Sequence, residues 1–109
     1  MKPVAFIGSA RDDLRAFPTS AREDAGYQLY LVQIERKPDD WKPFPEVGGG
    51  VSRIRVRDSG GFDGVMFVVK FSDAIYVLHC FRNRTRKTSD SDIDLARKRY
   101  TALVGSLRQ

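Results

Sequence analysis

The chain has 109 residues, 41% of them hydrophobic and 30% charged, with one cysteine and a formal net charge of +5. That length builds one modest core, so a single domain over 1–109 is expected. A lone Cys80 excludes an internal disulfide and a thiolate zinc cluster. No cofactor or metal is called for by any motif, and the N-terminal apolar run is too short for a secretory core or a membrane span, which points to a cytoplasmic protein without a membrane partner.

The charge is unevenly placed. Residues 1–50 hold 7 Lys/Arg against 8 Asp/Glu, whereas residues 51–109 hold 12 against 6. The halves therefore carry −1 and +6. Cations gathered in one half raise the local potential as a polyanion-binding surface requires, the plainer alternative being charge that serves solubility alone.

In chain order, residues 2–8 (KPVAFIG) form a β-prone run, and Gly8-Ser9 supplies a turn and a helix N-cap. A first helix follows over about 10–16. Pro18 interrupts it, and Thr19-Ser20 with Glu23 resembles a capping box that opens a second helix running to about Glu35. Its Ala25, Leu29 and Val32, joined by Tyr27, Tyr30, Leu31 and Ile34, make a broad apolar face. Residues 37–50 (KPDDWKPFPEVGGG) read as a loop tacked down by Trp41, Phe44 and Val47. Three strands follow, at 51–58, 64–71 and 74–82, joined by Ser59-Gly60-Gly61 and Ser72-Asp73 as an antiparallel meander. After a polar bridge, Ser91 with Asp94 begins a third helix in which Ile93, Ala96, Tyr100, Leu103, Val104 and Leu107 recur at helical spacing. The class is α+β, with the helices on one face of an antiparallel sheet.

Strand alternation places Arg53, Arg55 and Arg57 on one face of the first meander strand, about 7 Å apart, with Ile54 and Val56 on the other. That spacing is close to the phosphate repeat of a nucleic-acid strand, and an aligned row of like charges favours an anion beside it. A second cluster, Arg82-Asn83-Arg84-Thr85-Arg86-Lys87, leaves the third meander strand and can border the same groove. His79 is the sole histidine. Alternation sets it on the face of Ile75, Val77 and Phe81, as either a half-buried core residue or a catalytic base. Cleavage of RNA by its own 2′-hydroxyl needs a base near that oxygen, cations around the phosphate and a proton for the departing 5′ oxygen. Arginines, lysines and one histidine suffice.

The segments IRVRD, VMFVVKF, AIYVLHCFRNRTRKT and DIDLARKRY resemble the RelE/ParE toxin superfamily, in particular its phage-derived HigB-like branch, whose members read IRVRD, VxYVxKF, xYVLHxFxKKTxKT and DIxxAxxRY. The likeness runs from about Phe6 to Leu107. It implies a RelE-like fold, with N-terminal helices on an antiparallel sheet and a C-terminal helix. It also implies the toxin of a type II toxin–antitoxin pair, a metal-independent endoribonuclease that cuts mRNA on the ribosome and is neutralised by a helix-turn-helix antitoxin. By position, Arg53, Arg55 and Arg84 match the family's basic residues, and Lys87 matches the later lysine of KKTxKT. The expected assignment is then Arg84, Lys87 and His79 for catalysis, and Arg53, Arg55, Arg57, Arg82 and Arg86 for RNA. The chain departs from the pattern where the branch carries an aromatic residue and an arginine in the central strand, since here stand Asp63 and Gly64, and Phe67 replaces the tyrosine of VxYV. The alternatives are a ParE-like inhibitor of DNA gyrase and an attenuated toxin that acts only through its antitoxin.

Overall fold

A computed structural model describes residues 1–108, so Gln109, the last residue of the expected domain, lies outside the described residues. The elements are β1 (Val4–Phe6), α1 (Ala10–Arg15), α2 (Thr19–Gln33), β2 (Trp41–Pro43), β3 (Val51–Asp58), β4 (Gly61–Val68), β5 (Ile75–Asn83) and α3 (Asp90–Leu107). They build an α+β fold around one sheet of order β1-β5-β4-β3-β2. Strands β3 to β5 are antiparallel, as the turn chemistry predicts, and β2 adds an antiparallel edge that it does not. Strand β1, however, lies parallel to β5, pairing Val4 with Ile75 and Phe6 with Val77. The sheet is therefore mixed, because the chain leaves β1 through two helices and returns to its side only after the meander, the long crossover that a parallel pair requires.

The expectation of helices on a single face also needs correction. Helices α1 and α2 cover one face, where Ala10, Phe17, Ala21, Ala25 and Leu29 meet Ile54, Val56, Val65, Phe67, Ile75, Val77 and Cys80. Helix α3 covers part of the other, with Ala96 and Leu103 packed against Val51, Met66, Val68, Leu78 and Phe81. The reason is legible in β4. Both of its alternating faces are apolar, and a strand apolar on both sides must be covered on both.

Several boundaries and one cap differ from expectation. The 37–50 segment contains the short edge strand β2, which ends on Pro43, a residue tolerated at a sheet edge because its missing N–H is not needed there. Phe44 and Val47 are buried, as the tacking role requires. Strand β4 runs from Gly61 to Val68 rather than over 64–71, so only Ser59 and Gly60 turn. Gly61 has φ +142°, and a Cβ there would collide with the Asn83 carbonyl, so no other residue can close β4 onto β5 at that point. Helix α2 begins after Pro18 without a side-chain cap, so the capping box of Thr19-Ser20 with Glu23 does not form. Of its expected apolar face, Tyr27 and Tyr30 stand exposed.

Candidate nucleic-acid interface

On the α3 side of the sheet, the strand registers set nine residues in a grid. Arg57 pairs with Phe62 and Phe62 with Asn83; Arg55 pairs with Gly64 and Gly64 with Phe81; Arg53 pairs with Met66 and Met66 with His79. Residues paired across antiparallel strands share a face, so the arginine row predicted from alternation looks onto Phe62, Gly64 and Met66. Helix α3 covers the His79 end of this grid through Asp92. The Arg57 end is open.

The three arginines of the row meet different surroundings. Arg53 is only 4% exposed. Its guanidinium carbon lies 5.6 Å from the Phe44 ring centre, and its Nη1 donates to Thr88 Oγ1 at 3.4 Å. Burial first, and the neighbouring Arg55 charge second, pull its pKa below the ordinary arginine value. Arg55 is half-buried and donates from Nε to Asp40 Oδ2 at 2.9 Å. Arg57 is exposed. Among the described residues, Arg57, Arg84, Arg86 and Lys87 carry no ion pair.

The second cluster divides at the sheet. Arg82 points to the face opposite the arginine row, where its Nε donates to Asp63 Oδ1 at 3.1 Å and its Nη2 to Asp58 Oδ2 at 3.5 Å. Alternation is the cause: Asn83 stays on the arginine face and its predecessor cannot. Asn83 Nδ2 donates to the Lys87 carbonyl at 3.2 Å, which folds residues 84–87 back over the end of the grid. Arg84, Arg86 and Lys87 are all exposed there, and Arg86 reaches Phe62, its guanidinium carbon 5.6 Å from the ring centre. The structure thus sets Arg53, Arg55 and Arg57 along one face and brings the segment of Arg84, Arg86 and Lys87 to its Arg57 end. It sets Arg82 on the other.

His79 is 5% exposed and lies on this face for a reason that simple alternation misses. Phe67 pairs with Val77 but Met66 pairs with His79, so Leu78 is an extra residue in β5. Such a bulge shifts the alternation by one. His79 therefore shares the α3 side with Phe81, against which its ring stacks at 5.2 Å, rather than with Ile75 and Val77. Arg99 of α3 takes the bulge carbonyl, donating from Nη1 to Leu78 O at 2.9 Å. The imidazole Nε2 meets Asp92 Oδ1 at 2.7 Å, and Asp92 Oδ2 accepts from Ser89 Oγ at 2.6 Å. Ser89 in turn accepts the Asp92 N–H at 3.2 Å, so Ser89 and Asp92 cap α3 two residues before the predicted Ser91. Nδ1 is buried without a partner among the described residues. His79 is held by a helix cap rather than presented to a ligand.

Gly64, where the resemblance leads one to expect arginine, stands at the centre of the grid. The Phe81 ring lies over it, close enough that a Cβ at position 64 would enter the ring. Between them, Arg53, Arg55, Phe62, Phe81 and Arg86 line a shallow depression with room for about one water molecule. A larger cavity, about 690 Å³, lies elsewhere, between the end of α2 and the sheet, lined by Val32, Ile34, Trp41, Phe67, Val69 and Ile75. Its lining is mainly apolar but includes Lys2, Arg36 and Lys37, and it holds none of the clustered cations 53–57 and 84–87.

Sequence reasoning passed over Phe62, Phe81 and Asp92. Phe62 could have been found from its place beside the Ser59-Gly60 turn, opposite Arg57 once the register is fixed. Asp92 could have been found from Ser89, which stands three residues before it as a capping residue should. The bulge at Leu78 leaves no mark in composition or periodicity. Among the described residues no three His, Cys, Asp or Glu side chains gather as a metal cage, and no helix is long and apolar enough to cross a membrane.

The family model described as Phage derived protein Gp49-like (DUF891) matches residues 12–101, from within α1 to within α3. That span includes every residue of the grid. No curated protein matches the chain.

Proposed function

The chain belongs to the phage-derived Gp49-like family, and from that premise we propose that it is the toxin of a type II toxin–antitoxin pair that binds mRNA on its arginine face and cuts it on the ribosome. The observation that carries this reading is the gathering of Arg57, Arg84, Arg86 and Lys87, exposed and without carboxylate partners among the described residues, at the open end of a sheet face already lined by Arg53 and Arg55. Such a cluster repels itself in isolation and is relieved by a polyanion. The resemblance adds the ribosome as the setting and a helix-turn-helix antitoxin as the neutralising partner.

The chemistry draws on the substrate, this surface and solvent water. The 2′-hydroxyl attacks the adjacent phosphorus and gives its proton to solvent water, the phosphorus–5′-oxygen bond breaks, and the 5′ oxygen takes a proton from the Lys87 ammonium, which solvent then restores. Arginines around the nonbridging oxygens stabilise the charge that develops. In this reading Arg57, Arg84 and Arg86 supply that positive charge, a guanidinium keeping its proton throughout, and the exposed Lys87 is the group that exchanges one. His79 acts through Asp92, by holding the start of α3 against the grid.

Induced expression in bacteria followed by mapping of mRNA 5′ ends tests the reading. Codon-phased ends that disappear in Arg84→Ala support it; intact mRNA with a DNA-damage response favours the gyrase alternative. Gly64 favours one second reading, a toxin that holds RNA but cuts it slowly, since no cation replaces the arginine expected there. In that case the wild type arrests growth weakly while its RNA binding stays intact.

A further inference from the structure

Three guanidinium groups surround the half-buried ring of Phe62. Arg55, Arg57 and Arg86 place their Cζ atoms 5.6, 5.5 and 5.6 Å from its centre. They come from three positions that the fold must bring together: two residues of β3 and one from the segment after β5. The ring borders the shallow depression over Gly64, which Phe81 floors. An aromatic ring used only for core packing would be covered by apolar neighbours. This one lies outside both apolar clusters and is ringed by charge.

We propose that Phe62 is a stacking platform for one unpaired base of a single-stranded RNA, with Arg57 and Arg86 gripping the phosphates on either side. The inference rests on the RNA-binding reading above and adds to it the group that recognises the base. A guanidinium is planar and stacks on the same faces as a base, so the three arginines hold the ring solvated and accessible until a base displaces one of them. The displaced guanidinium then remains within reach of the phosphate that the base brings. Stacking on one aromatic side chain, flanked by cations that track the backbone, is how sequence-tolerant single-strand binding is achieved. The depression is too small to enclose a base, so the base lies on the ring and not within a pocket. Recognition by this residue is therefore of an unpaired base as such, not of one base by its edges.

The test compares binding of a short single-stranded RNA with binding of an abasic oligomer of equal length and charge, at low salt, for the wild type, Phe62→Leu and Phe62→Trp. The expected result is that Phe62→Leu loses on the order of tenfold in affinity for the RNA and nothing for the abasic strand. Phe62→Trp should retain the RNA, and the fluorescence it adds to the wild-type signal should be quenched by RNA but not by the abasic oligomer. Equal losses on both strands, or no loss on either, in a variant whose far-UV circular dichroism matches the wild type would overturn the stacking role and leave the RNA reading standing. Added fluorescence that stays unquenched when Phe62→Trp does form its RNA complex overturns it as well. A wild type that binds neither strand overturns the RNA reading itself, and the inference with it.

Discussion

The ring of Phe81 lies over Gly64, its register partner in the neighbouring strand, and fills the space that a side chain at position 64 would need. Glycine in the middle of a sheet is costly by itself, and a cross-strand aromatic ring recovers part of that cost by covering the bare backbone. The pairing also holds Phe81 down, so that the depression beside Phe62 stays open. Gly64→Ala should therefore destabilise the protein by about 1–3 kcal/mol, as overpacking does, even though alanine is the better strand former. Its thermal midpoint should fall by roughly 4–8 °C per kcal/mol, and Phe81→Leu in the same chain should return part of the loss. An unchanged midpoint in Gly64→Ala would show that the ring swings away freely.

Asp92 serves two neighbours at once, His79 through Oδ1 and Ser89 through Oδ2. Ser89→Ala should cost about 1 kcal/mol, the ordinary value of a helix cap. Asp92→Ala should cost more, about 2–3 kcal/mol, because it also leaves the buried His79 nitrogen without a partner. The double variant should lose less than the sum of the two, since both act on one carboxylate. Urea unfolding of the three proteins measures this directly, and additive losses would separate the cap from the histidine.

Asp63 and Asp58 titrate in opposite directions. Burial, and then the hydrogen bond to Asp58, push Asp63 up to about 6 from 3.8. Asp58 is held below its ordinary value, chiefly by the hydrogen bond to Asp63. Between 3.8 and about 6 the folded protein keeps on Asp63 a proton that the unfolded chain releases. Stability from Asp63 is therefore fully present below that window and is lost as pH rises through it. Asp58 has the opposite sign, and its contribution is lost as pH falls through its depressed value. Asp63→Asn should remove the decline between about pH 4 and 6 and raise neutral-pH stability by about 1–3 kcal/mol. Thermal melts of both proteins from about pH 4 to 8 measure it, and parallel curves would contradict the assignment.

The two faces of the sheet predict different salt behaviour. Arg57→Ala and Arg86→Ala should each weaken RNA binding and reduce the slope of log affinity against log salt by about 1. Arg82→Ala should leave that slope unchanged, because Arg82 is paired with Asp63 and Asp58 on the opposite face. A slope that falls for Arg82→Ala as it does for Arg57→Ala would place the RNA on both faces or at the sheet end between them.

Much of this site is legible in the sequence because strands alternate strictly where they are regular. The row Arg53, Arg55, Arg57 needs only the period of two, and β3 keeps it from Val51 to Asp58. What fails is whatever depends on a break in that period or on pairing between distant segments. His79 changes neighbours because one extra residue enters β5, and nothing about the string YVLHCF marks Leu78 as that residue. Arg82 separates from Arg84 and Arg86 because the strand runs one residue further than the charge cluster, considered as a block, would indicate. Phe62 gains its meaning only when the hairpin register sets it opposite Arg57 and the loop after β5 delivers Arg86. The parallel placement of β1 is likewise a long-range pairing, for which three residues of β-prone sequence carry no address.

Whether RNA lies on the open end of the arginine face is tested most directly by ultraviolet crosslinking of the protein to single-stranded RNA, with the attached residues mapped by mass spectrometry. Crosslinks should fall on Phe62 and on the 84–88 segment, and competing polyphosphate should reduce them. Crosslinks confined to Trp41 and the apolar groove beside α2, or to Tyr27 and Tyr30, would contradict it.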